Sequence, residues 1–147
     1  MIISEFDRNN PVLKDQLSDL LRLTWPEEYG DSSAEEVEEM MNPERIAVAA
    51  VDQDELVGFI GAIPQYGITG WELHPLVVES SRRKNQIGTR LVNYLEKEVA
   101  SRGGITIYLG TDDLDHGTTL SQTDLYEHTF DKVASIQNPV SYTHLTL

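Results

Sequence analysis

Cysteine is absent from the 147 residues, which excludes disulfides and thiolate metal sites and suits a reducing compartment. No apolar run approaches the roughly 18 residues that suggest a membrane-spanning helix. The opening MIISEFDRNN has no basic stretch and no long apolar segment, so it does not read as a secretory signal. The expectation is a cytoplasmic protein with no membrane partner and no metal. Basic residues are scarce: 11 Lys and Arg stand against 25 Asp and Glu, a formal net charge of −14. Phosphates would be repelled, which argues against nucleic acid as a partner. Two readings of the acidity carry equal weight. It attracts a cationic partner, or it only keeps the chain soluble.

What is present fits one domain with a real core. Ile2–Phe6 reads as a first strand. Asn10 caps a helix that places Pro11 at its first position, where a missing N–H loses nothing, and Leu13, Leu17, Leu20 and Leu21 share one face. Ser33 and Glu36 have the spacing of a capping box for a second, short helix with Val37, Met40 and Met41 on its apolar side. Arg45–Val51 and Leu56–Ile63 read as a hairpin turning at Asp52–Glu55, and Trp71–Val78 as a further strand. Gly88–Ser101 is an amphipathic helix with Leu91, Leu95 and Val99 aligned, ended by Gly103 and Gly104. Ile105–Leu109 follows as a strand. This strand–helix–strand unit implies parallel pairing inside a mixed α/β sheet. Beyond it, Asp112–Thr119 reads as a loop and Leu120–Ile136 as partly helical. Pro139–Leu147, PVSYTHLTL, has no cap and no evident partner.

The segment LHPLVVESSRRKNQIGTRL, Leu73–Leu91, carries the most specific signal. An apolar strand runs through a basic turn into a helix with Gly in its first turn. Arg82, Arg83 and Lys84 are consecutive in an otherwise acidic chain. Free N–H groups at a helix start beside cations form an anion site, although an ordinary solvated turn reads the same way. Pro75 cannot donate to a sheet ladder, so it marks either a parting of strands or an edge or bulge position.

Alternation puts Glu72 and His74 on one face of their strand. A carboxylate beside an imidazole suits removal of a proton from an ammonium acceptor, which must happen before the amine can attack. A solvent-facing Glu next to a satisfied core His remains the alternative. Glu27, Glu28, Asp31, Glu35, Glu36, Glu38 and Glu39 crowd the early helices, and Asp112, Asp113 and Asp115 follow a strand end. Either set could surround a polycation or be a solvated face.

The segment Arg83-Lys84-Asn85-Gln86-Ile87-Gly88 resembles motif A of the GNAT superfamily, Arg/Gln-x-x-Gly-x-Gly/Ala, with Gln86 in place of the first Gly. The stretches Thr24–Met41, Ile63–Val78 and Tyr108–Thr119 are similar to the aminoglycoside 6′-N-acetyltransferase family of enterococcal type, and the likeness runs from Met1 to Asn138. The resemblance implies a GNAT acyltransferase fold, a mixed central sheet with flanking helices. It implies transfer of an acetyl group from acetyl-CoA to the 6′-amino group of aminoglycosides, which confers resistance, by a homodimer. Leu76, Val77 and Val78 would pair their backbone with the pantetheine arm. Arg83, Lys84, Asn85, Gln86, Ile87 and Gly88 would hold the pyrophosphate, with Thr89 adjoining. Trp25, Tyr66, Glu72 and Asp115 would contact the sugar amines and rings, and Glu72 with His74 would serve the acceptor amine. The family continues past Asn138 with a helix and two strands. The expectation is therefore a GNAT domain over 1–138 that lacks its C-terminal strands, and a foreign tail over 139–147. Two alternatives stay open: a GNAT enzyme for polyamines or protein amines, and an inactive remnant that binds coenzyme A.

Overall fold

The computed structural model describes residues 1–66, 69–109 and 141–143. A six-stranded mixed sheet runs in the order β1 (Ile2–Glu5), β2 (Ile46–Asp52), β3 (Glu55–Tyr66), β4 (Gly70–Val78), β5 (Thr106–Leu109) and β6 (Ser141–Thr143). The first three pairings are antiparallel; β4 with β5 and β5 with β6 are parallel. The helices are α1 (Pro11–Thr24), α2 (Pro26–Tyr29), α3 (Ser33–Met40) and α4 (Ile87–Ser101).

Local chemistry sets these elements. Asn10 Oδ1 accepts from the amides of Val12 and Leu13 at 3.0 and 3.1 Å, which satisfies two donors that α1 cannot use internally. Gln53 and Asp54 both take positive φ, 52° and 67°, the backbone that a tight two-residue hairpin turn between β2 and β3 demands. At the C-terminus of α4, Gly103 supplies φ 84° and ends the helix.

Two cores form on the two faces of the sheet. Leu91, Leu95 and Val99 of α4 pack with Ile46, Val48, Ile60, Trp71, Leu73 and Ile107. Leu17, Leu20 and Leu21 of α1, with Val37 and Met40 of α3, cover Ala47, Ala49, Phe59 and Val77. Residues in β2 alternate strictly between these cores, as period-two pleating requires.

That alternation breaks once in β4. Leu73 and Leu76 both face the α4 core although three residues apart, while Val77 faces the α1 core. The cause is an irregularity against β3: Ile60 pairs with Leu76 and Ala62 with Leu73, so two residues, His74 and Pro75, oppose Gly61 alone. A bulge of this kind bends the strand and inverts the phase beyond it. Of the two sequence readings of Pro75, the bulge is observed.

Three expectations are corrected. Ser33 does not cap a helix by its side chain. It lies inside α3, and its hydroxyl meets Ser18 Oγ at 2.7 Å and accepts from Arg22 Nη2 at 2.9 Å, so a tertiary partner has taken it. An additional short helix, α2, starts at Pro26, where proline's fixed φ favours a first helical residue. Within the tail that read as partnerless, Ser141–Thr143 pair with Thr106–Tyr108 at the edge of β5. The expected loop at Asp112–Thr119 and helix at Leu120–Ile136 lie outside the described residues. No helix among the described residues is long and apolar enough to cross a membrane.

Candidate functional site

Strand β4 organises both halves of the site. Among the described residues, its pairing with β5 covers Gly70–Leu73, whereas its pairing with β3 continues to Val78. From His74 onward no strand lies on the β5 side of β4 among the described residues. An extended ligand could therefore satisfy backbone groups there. Leu76, Val77 and Val78 bury their side chains, at 3% exposure or less, so only their main chain is available to it.

The basic turn follows directly. Glu79 caps a 3-10 turn at Ser80–Arg82: its carboxylate accepts from the Ser81 amide at 3.4 Å and also from the Ser81 hydroxyl. Arg82 leaves the cluster, because its guanidinium donates to Asp52 Oδ2 at 2.5 Å. The β2–β3 hairpin is thereby tied to the turn. Arg82 holds the Asp52 carboxyl below its usual range, chiefly through this hydrogen bond. Arg83 donates from Nε to the Val78 carbonyl at 3.3 Å. Lys84 and Asn85 are exposed.

Lys84 and Gln86 both adopt the left-handed region, with φ 71° and 64°. Consecutive turns of this kind gather amide N–H groups into an anion-binding concavity. Gln86 is also the residue before α4, and no side chain caps that helix, so its first amides are left for a ligand. The Gly expected at position 86 thus has a conformational meaning, and Gln86 keeps the conformation without the glycine. Ile87 is 4% exposed and belongs to the α4 core, so its amide alone can serve. Gly88 is buried and Thr89 half-buried. A Cβ on Gly58 would lie 3.1 Å from Leu91 Cδ1 and 3.2 Å from Ile87 Cγ2, so glycine lets the start of α4 sit close on β3. The residues present fit the phosphates of a coenzyme.

On the acceptor side, Glu72 and His74 share one face as alternation requires, opposite to Trp71 and Leu73. Glu72 Oε1 accepts from Gln65 Nε2 at 3.0 Å. Gln65 is the extra residue of a second β3 irregularity, between the pairs Pro64–Trp71 and Tyr66–Gly70. His74 Nε2 lies 3.5 Å from the Tyr29 hydroxyl. Trp25 stacks obliquely on Tyr29, with centroids 5.8 Å apart and planes at 41°. The Trp25 indole Nε1 is buried and has no hydrogen-bond partner among the described residues. Burial lowers the pKa of Arg45, just before β2, while the carboxylates of Glu39, Glu36 and Glu72 act to raise it.

The structure brings Trp25, Glu72 and His74 to the face that α1–α3 cover. Tyr66 ends β3 opposite Gly70. Asp115, with Asp112 and Asp113, lies outside the described residues. Glu27, Glu28, Asp31, Glu35, Glu38 and Glu39 are exposed; Glu38 pairs with Lys14 at 3.2 Å. Sequence reasoning missed Gln65, Tyr29 and Arg45. Only the bulge at Gln65 would have exposed the first, and long-range packing decides the other two.

Residues 14–128 match the Acetyltransferase (GNAT) family model. Among solved structures, the chain is similar to an aminoglycoside 6′-acetyltransferase type Ii, at 92% identity over 87% of this chain and 81% of that one, with TM-score 0.78. It is also similar to the aminoglycoside 6′-N-acetyltransferase from Enterococcus faecium, at 99% identity over 94% and 77%, with TM-score 0.74. A GNAT family acetyltransferase from Brucella melitensis, in complex with acetyl-CoA, shares the fold at 15% identity over 74% and 73%, with TM-score 0.60. Comparison with curated proteins finds no match.

Proposed function

The chain belongs to the acetyltransferase (GNAT) family, and from that premise we propose that it transfers an acetyl group from acetyl-CoA to the 6′-amino group of aminoglycosides, conferring resistance. The observation that carries the acceptor is the 92% and 99% identity to two aminoglycoside 6′-acetyltransferases.

Acetyl-CoA supplies the activated acetyl thioester. The main chain of Leu76, Val77 and Val78 takes its extended arm along the open side of β4. The turn Arg83–Gln86 and the first amides of α4, from Ile87 through Gly88 to Thr89, take its phosphates. Glu72, fixed by Gln65, holds the acceptor ammonium and accepts the proton it must lose, directly or through water. His74 orients or relays. Trp25, Tyr66 and Asp115 are the proposed contacts for the sugar rings and their amines, on the resemblance to the aminoglycoside enzymes. Flat aromatic faces suit sugars, and carboxylates suit their ammonium groups. The proposal places this work in the cytoplasm and, for the enzyme at full family length, in a homodimer.

A second reading changes only the acceptor. The exposed carboxylates of α2 and α3 suit polyamines and basic protein amines as well, and fold alone does not choose among acceptors. Thiol release should be measured with a 6′-amino aminoglycoside, its 6′-hydroxyl analogue, spermidine and a basic peptide. The proposal expects turnover on the first alone. Equal turnover on the 6′-hydroxyl analogue removes the regiochemistry, and preference for spermidine or peptide removes the acceptor. Coenzyme binding without turnover on any of them leaves an inactive remnant.

A further inference from the structure

Tyr29 is 5% exposed, at the end of a four-residue helix, yet its hydroxyl reaches His74 on β4. The two residues lie 45 positions apart in sequence, so only tertiary packing brings them together. Tyr29 does not hang on a loose loop. Its amide bonds the Trp25 carbonyl at 3.0 Å, and the Trp25 amide bonds the Leu21 carbonyl at 2.9 Å, so α2 is tied to the end of α1 through Trp25, whose backbone at φ −133° and ψ 72° turns the chain between them. From the other side, Arg22 donates to the Gly30 carbonyl at 3.3 Å and to the Ser33 hydroxyl at 2.9 Å. The phenol is thus held by its neighbours before it meets the imidazole. The ring of Trp25 rests against it.

We propose that Tyr29 is a positioning residue for acetyl transfer: its hydroxyl, 3.5 Å from Nε2, orients the His74 imidazole beside Glu72 and couples the Trp25-bearing helices to β4. The inference rests on Glu72 and His74 being the acceptor pair. A separation of 3.5 Å is long for such a bond, and contacts of this kind commonly tighten when substrate completes the site. An imidazole turning about its side-chain bonds would present its two nitrogens to the acceptor in many directions. A partner at Nε2 narrows that range, and rates depend steeply on such alignment.

The test is a double-mutant cycle on the full chain with a 6′-amino aminoglycoside, together with ring 15N NMR of His74 in the absence of substrate. Tyr29→Phe keeps the aromatic packing and removes only the hydroxyl. It should lower kcat/KM for the aminoglycoside by about 5–20-fold and leave KM for acetyl-CoA unchanged. In a His74→Ala background the same change should cost less than about 2-fold, because the group it positions is gone. The Nε2 resonance of His74, assigned by its loss in His74→Ala, should move in Tyr29→Phe. A full Tyr29→Phe effect in the His74→Ala background would show that Tyr29 acts through packing and overturn the proposal. An unmoved Nε2 resonance overturns it whether or not the enzyme turns over. A resonance that moves in Tyr29→Phe, when the wild-type chain acetylates no aminoglycoside, upholds the contact and overturns the acceptor reading instead.

Discussion

The Gln65 side-chain amide donates to Glu72 Oε1 at 3.0 Å across the irregular end of the β3–β4 ladder. One strand carries the carboxylate, and an extra residue in the next strand aims it. Glu72→Gln keeps the size of the side chain but removes charge and basicity. It should lower kcat/KM for the cationic acceptor by about 10-fold if Glu72 is only an anchor, and by about 10²-fold or more if it also takes the proton. Gln65→Ala should cost less, about 5-fold, corresponding to one hydrogen bond worth about 1 kcal/mol. Steady-state kinetics on both variants check the order. Unchanged kinetics in Glu72→Gln would make Glu72 a bystander.

The three consecutive cations of the turn should separate by role. Arg83→Ala with Lys84→Ala should weaken acetyl-CoA binding by about 1–3 kcal/mol, with acceptor affinity nearly unchanged. Arg82→Ala should act through the loop, since Arg82 is engaged with Asp52. The Asp52 carboxyl has a lowered folded-state pKa. Its contribution is therefore complete above the unfolded carboxylate value and fades as pH falls through the lowered one. The anchor should hold at neutral pH and weaken as pH falls below the ordinary carboxylate range. Calorimetric titration across this pH range checks both statements. Equal losses of coenzyme and acceptor affinity in the double alanine variant would misplace the site.

Gln86 stands in the left-handed region at φ 64°. A non-glycine residue there is disfavoured by roughly 1–2 kcal/mol, while glycine loosens the unfolded chain by about 0.4–1 kcal/mol. Gln86→Gly should leave stability unchanged or raise it by up to about 1 kcal/mol, with coenzyme affinity retained. Thermal melting and calorimetry decide. A large loss of stability would mean that the Gln86 side chain carries packing of its own.

Gly61 permits the bulge that places His74. A Cβ there would lie 2.8 Å from the His74 carbonyl oxygen, a main-chain atom that cannot step aside. Gly61→Ala should destabilise the fold by about 1–3 kcal/mol and lower turnover beyond what the remaining folded fraction explains. Denaturant melts, read beside activity per folded molecule, separate the two effects.

Burial lowers the Arg45 pKa and the Glu39, Glu36 and Glu72 carboxylates oppose that, so a cationic acceptor held at Glu72, as proposed, would meet a like charge. Arg45→Gln should tighten acceptor binding by about 2–5-fold at low ionic strength, with the gain shrinking as salt is added. Calorimetry at two salt concentrations reads it. Weaker binding in the variant would make Arg45 a substrate contact.

The sequence by itself determined the elements whose signals are local. Asn10 and Pro11 start α1, and the Leu91–Leu95–Val99 stripe defines α4 within a residue of its observed start. Alternation alone placed Glu72 and His74 on one face. The basic turn and the helix start beside Gly88 were legible as well, because helix starts and left-handed turns are set by a few adjacent residues. Only the tertiary structure decided the rest. Ser33 carries a capping signal, but the buried hydroxyl of Ser18 and the guanidinium of Arg22 claim its oxygen. Arg82 reads as one of three equivalent cations until the hairpin brings Asp52 beside it. The phase change that turns Leu76 to the α4 core depends on two residues of β4 opposing one of β3, a property of a pair of strands and of neither alone. Tyr29 reaches His74 because α1, α2 and α3 pack on one face of the sheet. A single position has no local pattern that encodes which distant side chain it will meet.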